Sequence, residues 1–303
     1  MAEKSPEVNS LVQKQAVSGT AANWSLPRIE LPWNQRTLIM GVVNVTPDSF
    51  SDGGRFLDAD AAIRQGLELL AQGADVLDIG GESTRPGSDP VTAEEELRRV
   101  LPVIKGIMAG ASQAVISIDT YRARVADEAI QAGAQVINDI TALRGDAGMA
   151  ALAASSGAGL ILMHMQGQPK TMQVSPNYDD VVAEVGDFLL TQAQAAQAAG
   201  VARERIVIDP GIGFGKTLQH NLALIRGLAK LRGRGYPVLL GASRKAMLGT
   251  ITGGKPAEER LWATIGAHVA GAMLGADLVR VHDVEPVRDA ILVADAVMGG
   301  GDF

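Results

Sequence analysis

Gly73-Ala74-Asp75-Val76-Leu77-Asp78-Ile79-Gly80 joins the end of a helical pattern to a short apolar run, and the same join recurs at Gly133-Ala134-Gln135, Gly157-Ala158-Gly159 and Gly275-Ala276-Asp277. A glycine directly after a helix takes the left-handed cap conformation, which most side chains avoid, and the chain can turn at once into a strand. Outward from these joins lie eight β-branched runs: Thr37–Asn44, Asp75–Gly80, Ala114–Asp119, Gln135–Asn138, Gly159–His164, Arg205–Asp209, Pro237–Gly241 and Asp277–His282. Each is continuously apolar, as parallel strands covered on both faces are. Helical patterns separate them at Asp58–Gln72, Thr92–Met108, Tyr121–Ala132, Ala147–Ser156, Asp179–Ala199, Leu218–Leu231, Pro256–Leu274 and Glu285–Met298. Strand–helix units with short returns describe an α/β chain closed into a single (β/α)8 TIM barrel. An open doubly wound sheet would carry a glycine-rich dinucleotide fingerprint after its first strand. Here Gly213-Phe214-Gly215 follows the sixth strand and lacks the third glycine.

Residues 24–303 are therefore read as one barrel domain, with a short β-hairpin at Trp24–Leu31 closing its N-terminal end. Met1–Asn23 mixes charged and small polar residues without an apolar run of signal-peptide length, and is expected to be a disordered leader. Of the 303 residues, 34 are acidic and 27 basic, giving a net charge of -7 that repels polyanions, so nucleic acid is not an expected partner. Any anionic small substrate must be held by a local cluster of cations. No segment has the length and apolarity of a membrane span, and the absence of cysteine suits a reducing compartment; the cytoplasm is the expected location.

Barrels of this kind carry their sites on the rim where the strands end. The residues there are Asn44, Asp78, Asp119, Asn138 with Asp139, His164, Asp209, Ser243 just past the seventh strand, and Arg280 with His282. One such Asp is commonly a helix cap, but polar ends on nearly every strand point to a ligand. Asp119, Asn138 and Asp209 can grip a flat heterocycle with an amidine-like edge, as a carboxylate grips a guanidinium. Arg280, His282, Arg85 and Arg244 bring positive charge suited to a diphosphate, and the Asn44 amide oxygen suits a hard cation such as Mg2+. The histidines form no closely spaced helical pair, which argues against zinc.

Two loops, Thr46–Gly54 and Gly80–Ser88, have glycine hinges around polar residues and read as active-site lids. Asp209-Pro210-Gly211-Ile212-Gly213-Phe214-Gly215-Lys216 lacks the spacing of a nucleotide-binding phosphate loop; its glycines let backbone pass close to a flat ligand, with Phe214 as an aromatic wall. Ser243-Arg244-Lys245 sets cations at a helix start, where a carboxylate binds readily.

Over Trp24–Val297 these motifs resemble those of the dihydropteroate synthases, in the family of pterin-binding enzymes. Gly41–Gly54 and Asp78–Gly87 are similar to the two long family signatures, and Ser117–Thr120, Ile137–Asp139, Met163–Gln166, Asp209–Lys216, Ser243–Lys245 and Arg280–Asp283 follow the shorter ones in order. The resemblance implies that Asp119, Asn138, Asp209 and Lys245 hold a pterin, with Met165 and Phe214 nearby. It assigns Asn44, Arg280 and His282 to the diphosphate and its Mg2+, and Thr84, Arg85, Ser243 and Lys245 to 4-aminobenzoate, with Asp52 near the reaction centre; catalysis then falls to Asp52, Thr84, Arg85 and Lys245. It further implies dissociative loss of pyrophosphate before amine attack, sulfonamide binding, and a homodimer, for which Ala263–Leu274, apolar on nearly every face, offers a surface. Val42-Val43 departs from the bulkier aliphatics of the family, and the leader has no counterpart. A pterin-binding methyltransferase of the same barrel family would share Asp119, Asn138 and Asp209 but would not need Arg280, His282, Lys245 or the first loop. A pterin-binding barrel without turnover would not need the loops.

Overall fold

The structure is a computed structural model that describes residues 22–33, 35–46, 55–83, 89–167 and 171–299. Residues 1–21 of the expected leader, and Asp52, Thr84 and Arg85, lie outside the described residues.

Strand β1 (Asn23–Ser25) pairs antiparallel with β2 (Glu30–Pro32), Trp24 opposite Leu31, and forms the expected hairpin. The barrel strands follow as β3 (Leu38–Asn44), β4 (Val76–Gly80), β5 (Ile116–Asp119), β6 (Val136–Asp139), β7 (Gly159–Met163), β8 (Ile206–Asp209), β9 (Leu239–Leu240) and β10 (Leu278–Val281). They are parallel neighbours in the order β8-β7-β6-β5-β4-β3-β10-β9, and the parallel bridge Ile208–Val238 brings the two ends of the sheet together. Around them run α1 (Arg55–Ala71), α2 (Ala93–Gly110), α3 (Ala123–Ala132), α4 (Met149–Ser156), α5 (Val181–Ala198), α6 (Leu218–Arg226), α7 (Leu228–Arg232), α8 (Ala246–Ile251), α9 (Leu261–Met273) and α10 (Val284–Val297). The four glycines that announce the fold in the sequence, Gly73, Gly133, Gly157 and Gly275, all have positive φ.

Three elements differ from the sequence reading. The helix expected over Leu218–Leu231 divides at Gly227, which leaves helical geometry (φ -89°, ψ 3°) where a Cβ would come within 2.7 Å of Val182 on α5. The helix expected from Pro256 begins only at Leu261, after a tight turn at Ala257–Glu259 held by Arg260, whose guanidinium donates to the carbonyls of Lys255 and Arg244. The seventh barrel strand keeps only two residues, and the six-residue α8 behind it is too short to show a period.

Successive side chains of a strand face opposite ways, and the two apolar clusters sort accordingly. Ile39, Leu77, Ile79, Ile116, Ile118, Ile137, Leu160 and Leu162 pack outward against the helices. Leu38, Met40, Val76, Val115, Val136, Ile161, Val207, Leu239 and Leu278 pack inward, with the hairpin residues Trp24 and Trp33 beneath them. The two tryptophan rings are stacked at 5.2 Å, and Trp24 Nε1 donates to the Arg205 carbonyl at 3.0 Å, so the hairpin plugs the lower end of the barrel. Such a pair contributes about 0.5–1.5 kcal/mol beyond the area it buries. Two residues further along four of the strands the inward side chain changes character: Val76 gives way to Asp78, Val136 to Asn138, Val207 to Asp209 and Leu278 to Arg280. That step from an apolar to a polar layer positions the site. Among the described residues no helix is long and apolar enough to cross a membrane.

Candidate active site

The inward polar side chains of β4, β5, β6 and β10 form one connected group. The Arg280 guanidinium donates from Nε to Asp78 Oδ2 at 2.6 Å and from Nη2 to Asp119 Oδ2 at 2.9 Å, and Asn138 Nδ2 donates to the same Asp78 oxygen at 3.0 Å. Strand register explains the convergence, because Asp119 sits opposite Asn138 on one side and Gly80 on the other, where no side chain intervenes. Across the barrel Asp209 Oδ1 accepts the Gly211 N–H at 2.7 Å. Gly211 has φ 68°, and a Cβ there would lie 2.0 Å from the His164 carbonyl oxygen, so only glycine lets this loop press against β7. Ile140, Met163, Met165, Met172 and Phe214 form an apolar cluster beside these carboxyl groups, with Tyr121 packed on it and the Lys245 ammonium 4.2 Å from the Phe214 ring centre. Carboxyl and amide groups at one edge and an apolar wall alongside suit a flat, nitrogen-rich ring.

Burial governs the electrostatics. It pushes the Asp119 carboxyl up to about 7, helped by the charge of Asp78 and opposed by Arg280 and Lys245. It pushes Asp209 up to about 6 against the Gly211 N–H and the charges of Lys245, Arg280 and Lys216. Burial also works against the Arg280 charge, but Asp78 and Asp119 outweigh it and hold the guanidinium above its usual range. Asp119 and Asp209 thus titrate near neutrality until donors on a ligand favour their ionised forms.

Other residues singled out in the sequence have different neighbours. Ser243 Oγ accepts the His282 backbone N–H at 3.2 Å and lies 2.9 Å from His282 Nδ1, so these two form one pair. Arg244 forms a two-point ion pair with Asp283 while its backbone takes a left-handed turn (φ 57°). Asp139 faces outward and accepts from Thr141 and Leu143, capping the turn after β6. His164 also leaves the rim, its ring packed edge-on against Phe188 of α5 at 4.9 Å. Lys216, nearly fully buried, donates to the Phe214 carbonyl at 2.9 Å and lies 3.0 Å from His164 Nδ1. Burial lowers the Lys216 ammonium to about 7 and the His164 imidazole to about 3, so a neutral His164 receives the lysine N–H. The lysine therefore fastens the Phe214 loop to β7. The sequence reading counted Asp78 among the polar strand ends without assigning it a partner and gave no role to Ile140, Met163 or Lys216; alternation along β7 marks Met163, but nothing local marks the other two.

Residues 40–282 match the family model for pterin binding enzymes. The dihydropteroate synthase of Synechocystis sp. is 45% identical over 266 residues, which cover 88% of this chain and 91% of that protein. The chain belongs to the dihydropteroate synthase family. Among solved structures, Xanthomonas albilineans dihydropteroate synthase with 4-aminobenzoic acid superposes with a TM-score of 0.85 at 45% identity, covering 92% of this chain and 98% of that one. The same enzyme in complex with 7,8-dihydropteroate gives a TM-score of 0.82 at 43% identity, with 91% and 98% covered.

The raised carboxyl values bear on stability. A carboxyl whose folded pKa lies above its unfolded value takes up protons on folding, so its ionisation costs stability as pH rises between the two values. For Asp209 that window runs from roughly 4 to about 6, a penalty of roughly 3 kcal/mol once it is complete. In the ligand-free protein, Asp209→Asn is expected to raise the urea unfolding midpoint at pH 8 and to have little effect at pH 4; a variant less stable than the parent at pH 8 would contradict this.

Proposed function

We infer that this chain condenses 6-hydroxymethyl-7,8-dihydropterin diphosphate with 4-aminobenzoate to give 7,8-dihydropteroate and pyrophosphate. The observation that carries the reading is the buried Asn138 and Asp209 with the partly buried Asp119, beside an apolar wall that includes Met165 and Phe214. In this reading the two carboxylates accept N–H bonds from the pterin ring, the Asn138 carbonyl accepts another, and Lys245 covers the ring from the Phe214 side. Arg280 and His282 hold the diphosphate. Thr84, Arg85, Ser243 and Lys245 hold 4-aminobenzoate.

The donors at the end of β3 fit a magnesium ion. Asn44 is half-buried there and its side chain makes no hydrogen bond among the described residues, and one amide oxygen with phosphate oxygens and water is a ligand set that Mg2+ accepts. When bound, the ion would add positive charge against the leaving pyrophosphate. The chain's own residues do the rest. Ring nitrogens of the dihydropterin donate electrons toward the exocyclic CH2, so the C–O bond breaks first and its electron pair leaves with pyrophosphate, stabilised by Arg280 and His282. Asp52 stabilises the resulting cation. The neutral amine of 4-aminobenzoate then forms the C–N bond and loses its proton, with no covalent enzyme intermediate.

The test is pyrophosphate release and pteroate formation from the two substrates, with and without Mg2+. Metal-dependent turnover, inhibited by a sulfonamide in competition with 4-aminobenzoate and reduced at least about 100-fold in kcat/KM by Asp119→Ala, is expected. Pterin binding without pyrophosphate release would instead favour a methyltransferase or a binding protein.

The same reading makes the protein a cytoplasmic homodimer. Trp262 (76% exposed) and Met273 on α9 and Val293 and Val297 (73%) on α10 are exposed apolar side chains on packed neighbouring helices, and burying them against a second copy would be favourable. Sedimentation is expected to give a dimer for the parent protein and a monomer for Trp262→Glu; a monomeric parent would refute the assignment.

A further inference from the structure

We propose that Asp78 is a positioning residue for the reaction, setting through one carboxylate oxygen both the hydrogen-bonding sense of the Asn138 amide and the direction of the Arg280 guanidinium. The inference rests on the pterin reading of the site. Asp78 lies on the inward face of β4, has no exposed surface, and touches the ligand only through its neighbours. Its Oδ2 receives Asn138 Nδ2 at 3.0 Å and Arg280 Nε at 2.6 Å, while its Oδ1 is buried with no hydrogen-bond partner.

The consequence for Asn138 is chemical. A carboxylate only accepts, so the amide must turn its NH2 group toward Asp78 and leave its carbonyl oxygen for a ligand. That oxygen has no protein partner among the described residues. An amidine-like ring edge presents N–H donors, and a flipped amide would meet donor with donor. Asp78 therefore selects the acceptor. For Arg280 the bond at Nε, with that from Nη2 to Asp119, holds the side chain across the barrel and leaves its remaining N–H groups for an anion. One buried oxygen so couples the ring acceptor to the phosphate donor, fixing the distance over which the CH2–O bond is held.

A residue that only neutralised Arg280 for the sake of folding would predict something different. The test is a double-mutant cycle on ring affinity, using 6-hydroxymethyl-7,8-dihydropterin, which lacks the diphosphate, and fluorescence titration. Asp78→Leu, which keeps the branch at Cγ but has no acceptor, is expected to weaken ring binding about tenfold in the parent and to have almost no further effect in an Asn138→Ala background. Asp78→Asn, whose carbonyl can still receive both donors, is expected to restore most of the affinity, and it runs the same cycle with a smaller loss if the leucine variant does not fold. Losses that add across the cycle, or no loss in either variant, overturn the proposal while leaving the pterin reading intact. A parent protein that fails to bind the ring overturns both.

Discussion

Asp78 is fully buried and Arg280 and Asp119 are largely so, and the remainder of the site depends on their mutual compensation. An isolated charge there would cost several kcal/mol, and two carboxyl groups so close oppose each other's ionisation. The guanidinium between them offsets both problems and remains charged. It can do so because parallel strands end at one level and turn alternate side chains inward, and because Trp24 and Trp33 fill the layer below. Apolar packing beneath and ionic pairing above are two uses of the same alternating positions.

The compensation is incomplete, which is what gives the site its chemistry. Asp119 and Asp209 keep carboxyl values well above the ordinary range even with cations near them. In the proposed reading a ring that brings N–H donors favours the ionised carboxylates, and binding draws on that change. The overall charge of -7 does not attract a diphosphate; in the proposed reading the attraction is local, from Arg280, Lys245 and His282. Lys216 and Arg244, cations of the same segments, are instead consumed in holding loops, the first under Phe214 and the second against Asp283.

The barrel was legible because its signals are local and repeated. A glycine that must adopt positive φ at Gly73, Gly133, Gly157 and Gly275 is visible without tertiary information, and so is a continuous apolar run. The failures arise where tertiary contact decides: Gly227 breaks a helix because Val182 packs on it, and the seventh strand shortens to Leu239–Leu240 although its composition is that of a full strand. In the site, Asp119, Asn138 and Asp209 were recognisable as polar ends of apolar strands. The sequence could not tell the inward Asn138 from the outward Asp139 beside it, since that depends on register. Nor could it reveal that His164 turns toward Phe188, or that Asp78, one step below the rim, joins Asn138 to Arg280.

The proposed function requires carboxylates that ionise on meeting the ring. Calorimetry of 6-hydroxymethyl-7,8-dihydropterin binding near pH 6.5, repeated in buffers of different ionisation enthalpy, measures the protons exchanged. Net proton release, largely lost in Asp119→Asn, reduced in Asp209→Asn and declining above pH 8, is the expected result. Binding without proton release, or with proton uptake, would mean that the carboxyl groups stay protonated against the ring, and would contradict the account.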